Sequence, residues 1–210
     1  MNFEFSLTGF RGFQKQPYVA VSPITILIGE NSSGKSSFLA ALRYAQSIFV
    51  DGGEPSFNTE PFQLGTFDQI AHYRGGRGGR VSVFGLRIRR RVLFVHEEGQ
   101  KELPATIEAT LQFSAHEAGT ILSGLTLRAN KDQLRMVIVK EEPIWEFRGS
   151  TGEAHDVGDA IFPFVGPNVV DLPRVIPYLI SSFVYAAASR FRSGKDAPAE
   201  FRDFSAAVIA

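Results

Sequence analysis

Hydrophobic and polar positions alternate at the start of the chain. Phe3, Phe5 and Leu7 are separated by polar residues, the period of a half-buried strand over residues 2–7. The stretch 9–13, Gly-Phe-Arg-Gly-Phe, turns the chain, and residues 18–21 form a second short strand candidate. Residues 24–28, Ile-Thr-Ile-Leu-Ile, are β-branched and almost unbroken in their apolar character, which predicts a buried strand. The period then changes. Phe38, Leu39, Ala41, Leu42, Ala45 and Ile48 recur on one side of a helix predicted over 37–50, and glycines 52 and 53 stop it.

Residues 54–73 read as a connection containing Pro55, Pro61 and Gly65. Residues 74–80, Arg-Gly-Gly-Arg-Gly-Gly-Arg, carry too much glycine to hold regular structure cheaply and predict a mobile loop. From 81 to about 148 the pattern becomes a series of short β-rich runs at 81–88, 92–95, 106–113, 122–127, 134–139 and 144–147. Turn-like or charged stretches separate them, with Asn130-Lys131-Asp132 as a hairpin tip. Such spacing predicts an antiparallel meander, not alternating β/α units. Residues 150–171 are rich in Gly, Pro and Asp and predict irregular structure. Residues 175–180 have helical character, and 183–186, Phe-Val-Tyr-Ala, read as a buried strand returning to the main sheet. There is no internal repeat. The segments are a core over 1–73, an antiparallel β subdomain over 74–149, and a connection and returning strand over 150–210.

Composition narrows the picture in three ways. At 210 residues and 44% hydrophobic, the chain can bury a core and is not globally disordered. Lys plus Arg equals Asp plus Glu at 22 each, so no global field draws in nucleic acid, although a local patch can. With no cysteine, disulfides and thiolate metal sites are excluded. The N-terminus lacks a basic region followed by an apolar stretch, and the apolar segment 175–188, interrupted by Pro177, is too short to span a bilayer. A soluble, cytoplasmic protein with no membrane partner is the expectation.

The chemistry lies at residues 29–36, Gly-Glu-Asn-Ser-Ser-Gly-Lys-Ser, which fit G-x-x-x-x-G-K-[ST]. Glycines at this spacing let the backbone curl so that successive N–H groups face phosphate oxygens. Gly29, Glu30, Asn31, Ser32, Ser33, Gly34, Lys35, Ser36 and Ser37 are the candidate nucleotide-binding residues. Lys35 can reach the β- and γ-phosphates as a point charge, and the Ser36 hydroxyl can ligate Mg²⁺. The helix that follows aims its positive end at the same phosphates. Strand, glycine loop and helix come in the order this chemistry needs. ATP and Mg²⁺ are the implied ligands.

These features together resemble the N-terminal half of ABC-superclass P-loop ATPases, specifically the SMC-like, RecF-like and OLD-like group often described as AAA-type. The resemblance is carried by the Phe-rich first strand, the Gly-Phe-Arg-Gly-Phe turn, the Asn-x-Ser-Gly-Lys-Ser-Ser form of the loop, and Phe62-Gln63-Leu64-Gly65-Thr66-Phe67-Asp68-Gln69-Ile70. Residues 185–192 look like the segment before that group's second half. The match is good over roughly the first 90 residues and beyond them follows only the order of elements. It implies a mixed α/β fold, an ABC-type nucleotide-binding lobe with an antiparallel β subdomain. It also implies that Lys35 acts in catalysis, that Arg11 sits near the nucleotide, and that Gln63 or Gln69 senses Mg²⁺ and the attacking water. Both glutamines stay open. Further implications are a homodimer or higher oligomer formed through the lobe, a nuclease or other effector partner, and work on DNA or in defence against phage.

That family's remaining parts are not in this sequence. The apolar runs before His96-Glu97-Glu98 and before Lys140-Glu141-Glu142 lack Asp at the required position, and Leu122-Ser123-Gly124-Leu125 lacks the second glycine of a signature. The expectation is an N-terminal portion of a longer ATPase whose second half supplies these groups. The alternative is a natural half-protein that borrows them from a partner. Asn130-Lys131-Asp132 places its Asp one position early for guanine recognition, and an antiparallel meander argues against a small-molecule kinase. There is no His-Glu-x-x-His and no Gly-x-Ser-x-Gly. A run of arginines remains, with Arg74, Arg77 and Arg80 in the glycine stretch followed by four more before Glu97. Its bland reading is a solvated loop and strand face; its sharper reading is contact with nucleic-acid phosphates.

Overall fold

The computed structural model describes residues 3–46, 56–58, 60–95, 102–117, 119–129, 131–139, 142–148 and 154–156. Their dominant element is one antiparallel sheet. The alternating N-terminal pattern gives β1 (Phe3–Phe10), followed by β2 (Phe13–Lys15) and β3 (Val19–Val21). Both short strands pair with β1, β3 along its first half and β2 along its second. After helix α1 (Lys35–Gln46) and a single turn, α2 (Phe67–Ile70), the chain enters a long meander. Its strands are β4 (Val83–Val95), β5 (Glu102–His116), β6 (Gly119–Ala129), β7 (Asp132–Val139), β8 (Glu142–Arg148) and β9 (Ala154–Asp156). The order across the sheet is β2-β1-β4-β5-β6-β7-β8-β9, with β3 also on β1. The sheet therefore runs without a break from the N-terminal strands into the meander.

The two runs predicted at 81–88 and 92–95 are a single strand. The arginines between them, Arg89, Arg90 and Arg91, hold the ladder with β5 like their neighbours, because a backbone hydrogen bond is indifferent to side-chain charge. The hairpin expected at 130–132 is present, with Ala129 opposite Asp132. The signature-like Leu122-Ser123-Gly124 lies inside β6, where the pairing with β5 slips by one residue at Gln112 and Phe113. Gly124 lies there against Gln112, whose Oε1 would stand 2.6 Å from an added Cβ.

Period-two alternation gives the sheet two unlike faces. Phe5, Leu7, Phe84, Leu86, Leu111, Phe113, Leu125, Leu127, Leu134, Met136, Trp145 and Phe147 are buried on one. Here α1 and the 56–73 segment pack. Phe38 meets Phe5 edge-on at 5.4 Å, and Tyr44 stacks on Phe57 with ring centroids 3.7 Å apart. Phe84 sits amid Phe10, Phe57, Phe67 and Phe113, all within 5.6 Å of its centroid. The other face carries Glu4, Arg87, Arg89, Glu108, Arg128, Arg135 and Glu146. Tyr18 lies on it beneath Arg89, 4.1 Å from the ring centroid, and donates to Glu108 Oε2 at 2.8 Å. Partial burial, and then that bond to a carboxylate, push the Tyr18 hydroxyl up to about 12.

One expectation fails clearly. Residues 24–28 join no strand among the described residues, and Ile24, Ile26 and Ile28 are 86%, 78% and 92% exposed. Only Leu27 of this run packs against the core. The run is as apolar as a buried strand, but a strand needs a ladder partner, and none of the described strands lies beside it. Helix α1 shows a smaller departure. Its buried side is Phe38, Ala41, Tyr44 and Ala45, together with Ala40, whereas Leu39 is 43% exposed. The predicted helix beyond Gln46, including Ile48, and the elements read at 175–180 and 183–186 lie outside the described residues.

Candidate functional site

The loop is built on a floor supplied by β2. Gly34 has φ +93°, and a Cβ placed there would lie 2.9 Å from Cζ of Phe13. Phe13 in turn packs on Phe38 of the first turn of α1, with centroids 6.5 Å apart. The aromatic residue that ends the Gly-Phe-Arg-Gly-Phe turn thus occupies the space that only a glycine leaves open. Its position in that repeated Gly-Phe pattern was the sequence signal for this role, and sequence reading missed it. Ser32 also has positive φ, at 63°, so the backbone curls at two of the three positions before Lys35. Ser33 N–H donates to Glu30 O at 3.3 Å, closing a turn within the loop.

Lys35 opens α1, and its ammonium folds back over the loop. Nζ donates to Gly29 O at 2.7 Å and to Glu30 O at 2.6 Å, and lies 3.4 Å from Ser33 Oγ. The cation is thereby held above the curl of the backbone, where phosphate oxygens would compete with two carbonyls for it. Phe38 N–H donates to Gly34 O at 2.8 Å, so the helix begins directly at the loop and its first N–H groups remain for an anion. Ser36 is exposed in that first turn. These residues fit a nucleotide's phosphates: a curled backbone, a positioned cation and a helix start. For Mg²⁺ they offer the Ser36 hydroxyl. No group of three or more acidic or histidine side chains among the described residues could hold a metal. A magnesium ion here would take its other oxygens from phosphate and water. Gly34→Ala is expected to weaken nucleotide binding at least tenfold, because the new methyl would drive Phe13 or the loop aside and the residue would stay at a strained φ; a nucleotide titration at unchanged fold checks this.

The structure assigns other tasks to three residues expected near the nucleotide. Arg11, at φ 45°, ties the β1–β2 turn to the 64–72 segment: its N–H donates to Ile70 O at 2.6 Å and its Nη2 to Leu64 O at 3.1 Å. Its Nε is buried without a hydrogen-bond partner among the described residues. Gln69 caps α2, its Oε1 accepting from Thr66 N–H at 2.9 Å, and it fills the space beside Gly65. Gln63 is exposed and donates to Glu60 at 2.8 Å. Among the described residues, neither glutamine hydrogen-bonds to the loop.

The glycine stretch is a closed turn. Tyr73 and Arg80 face each other across an antiparallel bridge, and Arg74 N–H donates to Gly79 O at 2.7 Å. Gly75, Gly76 and Gly78 all have positive φ, so glycine here permits a specific fold of the backbone. Arg74 and Arg77 are exposed. Arg80 is engaged: its Nη1 donates to Ala71 O at 2.9 Å, and its guanidinium lies 5.4 Å from the Tyr73 ring centroid. Arg77 is therefore the cleaner probe of a phosphate contact, since replacing Arg80 also disturbs the turn.

No described helix is long and apolar enough to cross a membrane. No curated protein matches the chain. Residues 24–91 match the family model described as an AAA domain of the AbiEii toxin, type IV toxin–antitoxin kind. That span contains the loop, α1, α2 and the start of β4, so over these residues the chain is similar to a P-loop, AAA-type ATPase domain.

Proposed function

We propose that the chain is the ATP-binding lobe of an ATPase that uses nucleotide to control assembly. The observation that carries this reading is the Lys35 ammonium held over the curled 29–34 backbone at the start of α1. The exposed Ile24, Ile26 and Ile28 support a second lobe, because three neighbouring isoleucines beside a binding loop call for cover by another strand. A γ-phosphate shared between two lobes would make nucleotide state a switch, since ATP would then bind the assembled form better than the separate one. The type IV toxin–antitoxin description of the matched family supports a setting in defence, with a nuclease or other effector as partner. Nucleic acid would meet the lobe at Arg74 and Arg77.

A scaffold that binds ATP without turnover is the second reading. It is favoured by the sequence, in which the apolar runs before His96-Glu97-Glu98 and before Lys140-Glu141-Glu142 lack the Asp that hydrolysis would need. Light scattering on the full-length protein separates the outcomes. Mg²⁺-ATP is expected to raise the molar mass of wild type and not that of Lys35→Ala; an unchanged mass in wild type would remove the switch. Phosphate release in the same sample then distinguishes enzyme from scaffold.

A further inference from the structure

The polar face of the sheet carries a row of charges that can be followed strand by strand. In register across it stand Glu4, Arg89, Glu108, Arg128, Gln133 and Arg148, on β1, β4, β5, β6, β7 and β8. From β1 to β6 acid and base alternate, and the contacts follow: Arg89 Nε donates to Glu4 at 2.6 Å, and Arg128 lies 3.7 Å from Glu108. The hydrogen bond from Arg89 holds the Glu4 carboxyl below its ordinary range. At β7 the alternation stops. Gln133 stands where a carboxylate would continue it, Arg148 follows, and Ala154 is opposite Arg148 on β9. The row ends with a surplus of positive charge.

The surplus coincides with a cleft of about 320 Å³ lined by Thr126, Arg128, Gln133, Arg135, Glu146 and Arg148. The described residues that line it bring three guanidinium groups and one carboxylate, Glu146, which lies 3.7 Å from Arg135; Arg128 also lies 3.7 Å from Glu108 beside the cleft, and Asp156 stands opposite Glu146 in register on β9. Both ion pairs are long, at 3.7 Å, and the one inside the cleft, Arg135 with Glu146, is exposed on both sides, so exchanging it for another anion costs little. Gln133 accepts from Arg128 Nε at 3.2 Å and so orients that fork without neutralising it. Guanidinium groups on three adjacent strands, roughly 5 Å apart, suit an anion with several oxygens and more than one charge.

We propose that this cleft binds phosphate groups, from a free polyphosphate or from a nucleic-acid strand, at a site separate from the P-loop. It lies on the face of the sheet opposite the one on which α1 packs. In the full-length Lys35→Ala protein, which removes competition from the loop, tripolyphosphate and a single-stranded DNA oligonucleotide are titrated separately. Arg128→Ala/Arg148→Ala is expected to weaken at least one of them about tenfold or more, as is Gln133→Glu, which completes the alternating row. If the oligonucleotide is the ligand, the double variant also flattens the salt dependence, by about 0.7 in slope for each phosphate that the two arginines neutralise. Loss of tripolyphosphate binding alone identifies a free ligand. Unchanged affinity for both probes, with unchanged thermal melting, overturns the site. Equal binding of polyglutamate, abolished in the same variants, overturns phosphate in favour of an acidic peptide.

Discussion

Lys35→Ala is expected to lower ATP affinity at least a hundredfold. The ammonium lies over the loop where phosphate would come, 2.6 and 2.7 Å from two of its carbonyl oxygens. Exchange of those neutral acceptors for charged phosphate oxygens strengthens every bond it makes. Truncating one partner of a close, hydrogen-bonded charge pair costs about 2–5 kcal/mol, and about 2.7 kcal/mol is a hundredfold in affinity. The fold should be unaffected, because among the described residues the side chain bonds only to its own exposed loop, and the helix behind it is anchored by Phe38, Ala41, Tyr44 and Ala45. Calorimetric titration with ATP, beside a thermal melt, makes the test. Retained affinity in a folded variant would contradict the assignment of residues 29–36.

Phe84→Ala has the opposite profile, a large loss of stability with the loop chemistry left intact. Phe84 is 1% exposed and touches the rings of Phe10, Phe57, Phe67 and Phe113. These rings come from β1, the 56–58 segment, α2 and β5, so one side chain joins the parts that cover the sheet. Deleting it removes a large buried apolar surface and leaves a cavity that four aromatic neighbours can close only by leaving their rotamers. The expected cost is about 3–5 kcal/mol, read as a lower urea midpoint. Phe84→Leu should lose clearly less. A midpoint within error of wild type would mean that the aromatic cluster does not hold the sheet's cover in place.

How much of this was legible depended on the range of the interaction. The loop, the start of α1 and the first strand could be read because their signals are local: glycines before Lys35, and Phe3, Phe5 and Leu7 at period two. The antiparallel meander was legible from turn spacing. Register was not, because opposition of Arg89 to Glu108 depends on pairing between residues distant in sequence, and that of Arg128 to Gln133 on the exact residues of the turn between them. For the same reason the charged row and its cleft leave no local mark, while the arginine–glycine stretch is conspicuous. Gln69 and Arg80 illustrate the converse. Their residue types suit catalysis and phosphate binding, yet a helix cap and a turn use both side chains locally. The 24–28 run misled because apolarity reports a need for cover and says nothing of what supplies it.

Bare isoleucines at 24, 26 and 28 also have a practical consequence. A β-prone, uncharged segment that pairs with no described strand is a template for a second copy of itself, and such edges cause aggregation unless they are guarded. Left uncovered, this segment would make the protein stick to itself, with or without nucleotide. Association of that kind would masquerade as regulated assembly. Ile26→Lys, a gatekeeper charge on the outer side of the run, suppresses the stickiness while leaving the phosphate loop as it is.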